Sequence, residues 1–111
     1  MTLKIKSKIW IETDEGILIS EGRIHLLKQI EATGSLNKAA KEMNISYQKA
    51  WKLIDASNKA SKEPLIATQV GGNKGGGTVI TPYGKSLIAS FEKINVACWE
   101  FLDAELKKHS L

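Results

Sequence analysis

The stretch Gly34-Ser35-Leu36-Asn37-Lys38-Ala39-Ala40-Lys41-Glu42-Met43-Asn44-Ile45-Ser46-Tyr47-Gln48-Lys49-Ala50-Trp51 contains two helix starts separated by a tight turn. Gly34 before Ser35, and Asn44 two residues before Ser46, repeat one device: a residue that tolerates the left-handed conformation, then a hydroxyl able to cap the next helix. Leu36, Ala39, Ala40 and Met43 give the first of these helices a small inner face, suited to close approach of a neighbour. The second is predicted over Ser46 to about Lys59. At about 100° per residue, Tyr47, Ala50, Trp51, Ile54, Ser57 and Asn58 share one arc, and Gln48, Lys49, Lys52, Asp55, Ala56 and Lys59 another. The first arc is expected to pack and the second to face outward. This is the pattern of a helix-turn-helix, whose second helix enters the major groove of DNA.

Working outward, a helix over about Gly22–Thr33 precedes the pair, with Ile24, Leu27 and Ile30 on one face, Leu26 beside them, and Gly34 as its stop. Upstream, Leu3, Ile5, Ile9 and Ile11 alternate with Lys4, Lys6, Lys8 and Trp10. This period of two predicts a strand that turns at Thr13-Asp14-Glu15-Gly16 into Ile17-Leu18-Ile19. Downstream, Pro64–Val70 and Thr78–Thr81 read as two strands around the glycine-rich loop 71–77, a hairpin placed as a wing. Thr81 caps and Pro82 opens a last helix extending to about Lys107. The fold expected is mainly α with small β hairpins: one winged helix-turn-helix domain over 1–111. It divides into an N-terminal hairpin (1–20), a helical core (22–62), the wing (64–81) and a long dimerisation helix (82–108).

The 111-residue chain has a formal net charge of +4. Its distribution matters more than its size. Residues 35–77 contain seven lysines against Glu42, Asp55 and Glu63, while the rest of the chain is balanced, so the excess lies on the helix pair and wing. Localised positive charge points to a polyanionic partner. Cys98 is the only cysteine, so no intramolecular disulfide forms. His25 and His109 lie far apart, without metal-ligand spacing, and no metal or cofactor is expected. The start lacks the apolar core of a signal peptide, and no run reaches the ~18 apolar residues of a membrane span, which predicts a cytoplasmic protein with no membrane partner. No nucleophile, base and orienting group share a recognisable spacing, so the chain is not expected to be an enzyme.

For DNA, the expected contacts are Ser46, Tyr47, Gln48, Lys49 and Lys52 on the second helix of the pair, Ser35 at the start of the first, and Asn73 and Lys74 in the wing loop. Free N–H groups at a helix start, with the Ser46 hydroxyl, suit a phosphate. Gln48 can pair bidentately with adenine, and Lys49 or Lys52 can donate to guanine O6 and N7. Tyr47 and Trp51 are expected to face inward, Trp51 as helix packing and Tyr47 with its hydroxyl near a phosphate. The loop is not a phosphate-binding P-loop, because Lys74 precedes Gly75 and a strand follows. It is not a dinucleotide fingerprint either, because Ile80 stands where the third glycine is needed. On the last helix Leu87, Phe91, Ile94, Cys98 and Phe101 recur at steps of four and three. That spacing fits a dimer seam or packing against the chain's own body; the dimer is preferred because two recognition helices would then reach successive major grooves.

Gly22-Arg23, Leu26-Leu27, Ile30, Thr33-Gly34-Ser35-Leu36, Ala39-Ala40-Lys41, Ile45-Ser46-Tyr47, Ala50-Trp51, Ile54, Gly71-Gly72, Gly75-Gly76-Gly77 and Thr81-Pro82-Tyr83-Gly84 together resemble the N-terminal domain of the ModE molybdate-responsive transcription regulators of bacteria. More distantly the chain resembles the LysR-type winged helix. The resemblance implies a homodimer bound to double-stranded DNA through the third helix and wing, with the last helix as dimerisation arm. Full-length members carry C-terminal molybdate-binding domains, whereas this chain ends at Leu111, so no residue here is expected to be a molybdate ligand. Constitutive repression, a separate effector-sensing protein or another route of response stay open. The contrasting expectation is a winged helix that docks on a protein without DNA sequence specificity.

Overall fold

A computed structural model describes residues 1–69 and 77–111. Among them the chain forms, in order, β1 (Trp10–Thr13), β2 (Gly16–Ser20), α1 (Glu21–Thr33), α2 (Leu36–Glu42), α3 (Tyr47–Ala60), β3 (Ile66–Gln69), β4 (Gly77–Ile80) and α4 (Pro82–Lys107). This is a winged helix: three short-connected helices, an antiparallel β3–β4 wing, an antiparallel β1–β2 hairpin ahead of them, and a long last helix. Among the described residues no helix is long and apolar enough to cross a membrane.

Each helix begins on a hydroxyl. Ser20 accepts from Arg23 N (3.3 Å), Ser35 from Lys38 N (3.2 Å), Ser46 from Lys49 N (3.0 Å) and Thr81 from Gly84 N (3.0 Å), satisfying a backbone donor that the helix itself leaves free. Gly34 ends α1 in the left-handed conformation (φ 71°) and Asn44 turns the chain between α2 and α3 with φ 56°. Both turns are where the sequence places them. Ser20 is the cap that the sequence reading passes over, so α1 starts one residue earlier than expected.

The first strand departs further from expectation. Period-two alternation predicts pairing from Leu3, yet β1 begins at Trp10, and Leu3 and Ile5 are exposed. The register explains the difference: Trp10 already pairs with Ser20, so anything earlier would need partners inside α1, where the backbone is helical. A bulge between Ile11 and Glu12 breaks the strict alternation, and Leu18 and Ile19 are both buried.

The core gathers Leu18 and Ile19 of β2, Ile24, Leu26, Leu27 and Ile30 of α1, Leu36, Ala39 and Ala40 of α2, Ala50, Ile54 and Ala60 of α3, Leu65, Ile80 and Phe91. Polar ties fix α3 within this frame. The Arg23 guanidinium reaches Ile17 O and the buried Ser57 Oγ (2.8 Å), burial lowers its pKa from the usual value, and Thr13 Oγ1 donates to Ala60 O (2.8 Å). The wing is tied to the end of α1 by Thr78 N donating to Gly34 O (2.9 Å). At the foot of α4, Gly84 lies so close to the chain that a Cβ there would stand 2.5 Å from Leu65 O. From that foot α4 runs for ~39 Å at 1.5 Å per residue, and the molecule is elongated to match, 62 × 31 × 21 Å.

Candidate nucleic-acid interface

The core leaves one side of α3 free. The buried positions are Ala50, Ile54, Ser57 and Ala60, with Leu53 half-buried. Relative to the expected arc this face is turned by roughly 60°, at 100° per residue. Tyr47 (53 % exposed) and Trp51 (49 % exposed) therefore face solvent, which corrects the expectation that both point inward. The reason is steric. The side of α3 that packs against β2, α1 and α2 buries three small residues, Ala50, Ser57 and Ala60, around Ile54, and small residues let a helix approach more closely than an indole allows.

What α3 presents outward is a stripe of Tyr47, Gln48, Trp51, Lys52 and Asp55, with Lys49 along its edge; Gln48, Lys49 and Lys52 are all exposed. Asp55, which sits awkwardly on a surface meant for a polyanion, pairs with Lys59 at 3.0 Å. The ion pairs among the described residues otherwise join Lys28 to Glu92, Lys85 to Glu31 and Lys108 to Glu105. None engages Lys38 or Lys41 on α2, or Lys49 or Lys52 on α3. These four ammonium groups flank the turn between the two helices and raise the local positive potential. Ser35 and Ser46 spend an acceptor lone pair on their caps and keep an O–H able to donate. Asn73 and Lys74, the expected wing contacts, lie outside the described residues.

On α4 the structure separates residues that the sequence reading places on one seam. Phe91 is 1 % exposed within the chain's own core, Leu87 is half-buried against that core, and Cys98 is half-buried with its Sγ 3.7 Å from Ser7 Oγ. Asn95, also buried, donates to Glu21 Oε1 (2.9 Å) and anchors the middle of α4 to the first turn of α1. Phe91 is thus unavailable to a partner, a correction to the expected seam. Ile94 and Phe101 (51 % and 62 % exposed) point away from the body, and Ser90, Ala97 and Ala104 alternate with them on the same stripe.

Known proteins match this chain over these elements. The molybdenum transport protein ModE of Azotobacter vinelandii is 39 % identical over 97 residues, 87 % of this chain and 36 % of the relative. Over most of its own length the chain is similar to ModE proteins. The DNA-binding transcriptional dual regulator ModE of Escherichia coli is 37 % identical over 92 residues, 83 % of this chain and 32 % of the relative. The molybdenum-pterin-binding protein MopB of Rhodobacter capsulatus is 35 % identical over 96 residues, 86 % of this chain and 36 % of the relative. The chain therefore spans about a third of the length of the curated relatives it matches. No protein-family model matches it.

Proposed function

We propose that this chain is the DNA-binding region of a ModE-type transcription regulator, that it binds as a homodimer, and that α3 reads the major groove. The outward face of α3 carries this reading. It offers an amide that can pair bidentately with adenine, ammonium groups that can reach guanine O6 and N7, and a capped N-terminus with the Ser46 hydroxyl for a phosphate. Lys38 and Lys41 on α2 suit the flanking backbone, and Asn73 and Lys74 of the wing loop are assigned to the backbone or minor groove beside it. The Escherichia coli relative is named as a DNA-binding regulator, in line with this assignment.

The dimer is assigned to the stripe Leu87, Ser90, Ile94, Ala97, Phe101 and Ala104. Large and small residues alternate along it at steps of three and four, and small residues let two helix backbones approach closely. A two-fold pairing of α4 with its copy would set two α3 helices on successive major grooves, about 34 Å apart.

Selection of bound duplexes from random sequence, with and without molybdate, tests this reading. The expected product is an inverted repeat with half-site centres about 10 base pairs apart, or a multiple of that. Recovery of no enriched sequence would overturn it, and enrichment that changes with molybdate would show that this oxyanion acts through this region as well.

A further inference from the structure

The exposed aromatic pair on α3 is not accounted for by phosphate contacts, adenine pairing or guanine pairing. Tyr47 and Trp51 stand one helical turn apart, about half exposed, so they form one continuous apolar strip. The strip lies beside Gln48 and Lys52 on the outward face of α3. An uncovered aromatic strip of this kind marks a binding surface. Its surroundings select the occupant: cationic groups border it, and its nearest acidic neighbour along the helix, Asp55, is already paired with Lys59.

In the major groove of B-DNA the bases are stacked and only their edges can be reached. One apolar group is on offer there, the C5-methyl of thymine, with the O4 acceptor next to it. Tryptophan is the complement of that edge. It has a broad apolar body and a single N–H donor, and no acceptor. The Trp10 indole is already engaged with Glu12 Oε1 at 2.7 Å; among the described residues no hydrogen bond engages the Trp51 indole. Cytosine presents an N4 amino donor in place of O4 and no methyl, so an indole meets donor with donor. We infer that Trp51 is a specificity-determining residue that selects thymine over cytosine in each half-site, packing on the methyl group and donating to O4. Tyr47, at the first turn, extends the apolar contact toward the sugar and directs its hydroxyl to the adjoining phosphate. The inference rests on the major-groove reading of α3 proposed above.

Single-base replacement in a selected duplex tests it while leaving every phosphate unchanged. Replacing thymine by deoxyuridine removes only the methyl; replacing cytosine by 5-methylcytosine adds only the methyl. At the contacted position of one half-site, deoxyuridine should weaken wild-type binding about fourfold, the worth of one buried carbon group. Trp51→Ala should bind thymine and deoxyuridine duplexes equally at that position, and Trp51→Phe should keep the sensitivity to the methyl while losing discrimination between thymine and 5-methylcytosine. Circular dichroism and thermal melts, unchanged in both variants because Trp51 packs outside the core, separate lost contact from lost fold. Wild-type binding that ignores the methyl at every position, or a Trp51→Ala variant with the wild-type methyl dependence, would overturn the inference and leave the DNA reading standing. Absence of duplex binding by the wild type would overturn both.

Discussion

Two helices of this chain each leave large apolar side chains in solvent, and the difference lies in what surrounds them. On α3, Tyr47 and Trp51 are set among Gln48, Lys49 and Lys52, and α2 adds Lys38 and Lys41 from across the turn. On α4, Ile94 and Phe101 share a stripe with Ser90, Ala97 and Ala104, and the charges on the neighbouring faces, Glu92, Lys93, Glu100 and Lys107, are of both signs. Aromatic surface bordered by a net excess of lysines, with Asp55 already paired to Lys59, suits a charged polymer. A stripe of alternating large and small apolar residues, bordered by mixed charge, suits a second copy of itself. The contrast within α4 is as informative: Phe91 and Phe101 are ten residues apart, one sealed in the core and the other open to solvent.

The two phenylalanines give the strongest way to break that contrast. Phe91→Ala should cost about 3–5 kcal/mol of folding stability, read by denaturant unfolding, because it empties a site closed on all sides. Gly84→Ala should follow at about 1–3 kcal/mol, since its Cβ would meet Leu65 O at 2.5 Å and Ile80 Cγ2 at 2.9 Å. Phe101→Asp should leave the unfolding midpoint of the monomer nearly unchanged while weakening self-association by about 2 kcal/mol, roughly thirtyfold, in sedimentation equilibrium. An unaltered association constant would move the interface away from this stripe. Ser46→Ala removes the cap of α3 and should cost about 1 kcal/mol in stability, together with a loss of DNA affinity that Ser20→Ala, at the cap of α1, does not share.

Much of this fold is legible because its local signals agree. Gly34, Ser35, Asn44, Ser46 and Thr81-Pro82 each punctuate the chain through backbone chemistry that depends on neighbours in sequence, and each stands at the boundary where it is expected. The rotation of α3 is another matter. Helical periodicity assigns a tryptophan to the core by its hydrophobicity, but the buried side is decided by how closely β2 and α1 approach, and by the bond from Arg23 to Ser57 across 34 positions of sequence. The α4 stripe is ambiguous for a related reason. Residues 91 and 98 and residues 87, 94 and 101 lie on adjacent sides of one helix, and a four-three spacing runs through both. Only the position of the body shows which side is already taken. The early alternation from Leu3 to Ile9 looks like strand, but has no extended partner to pair with. Among the candidate DNA contacts, Gln48, Lys49 and Lys52 are exposed as expected. Trp51 was hidden by its own hydrophobicity, and an unpaired aromatic at i, i+4 from Tyr47 is the signal that could have found it.

The claim that joins these observations is that α3 lies against DNA, and the salt dependence of binding probes it most directly. On a selected duplex, the logarithm of the association constant of the wild type should fall linearly with the logarithm of salt concentration. In the Lys49→Ala, Lys52→Ala double variant the slope of the bound homodimer should be shallower by about 3.6, the loss expected for four phosphate-neutralising charges, two per protomer, at ~0.9 each. A smaller change with altered sequence preference would assign one of the lysines to a base edge. A wild type whose binding ignores salt, or a double variant with the wild-type slope, affinity and sequence preference, would contradict the placement of α3 on DNA.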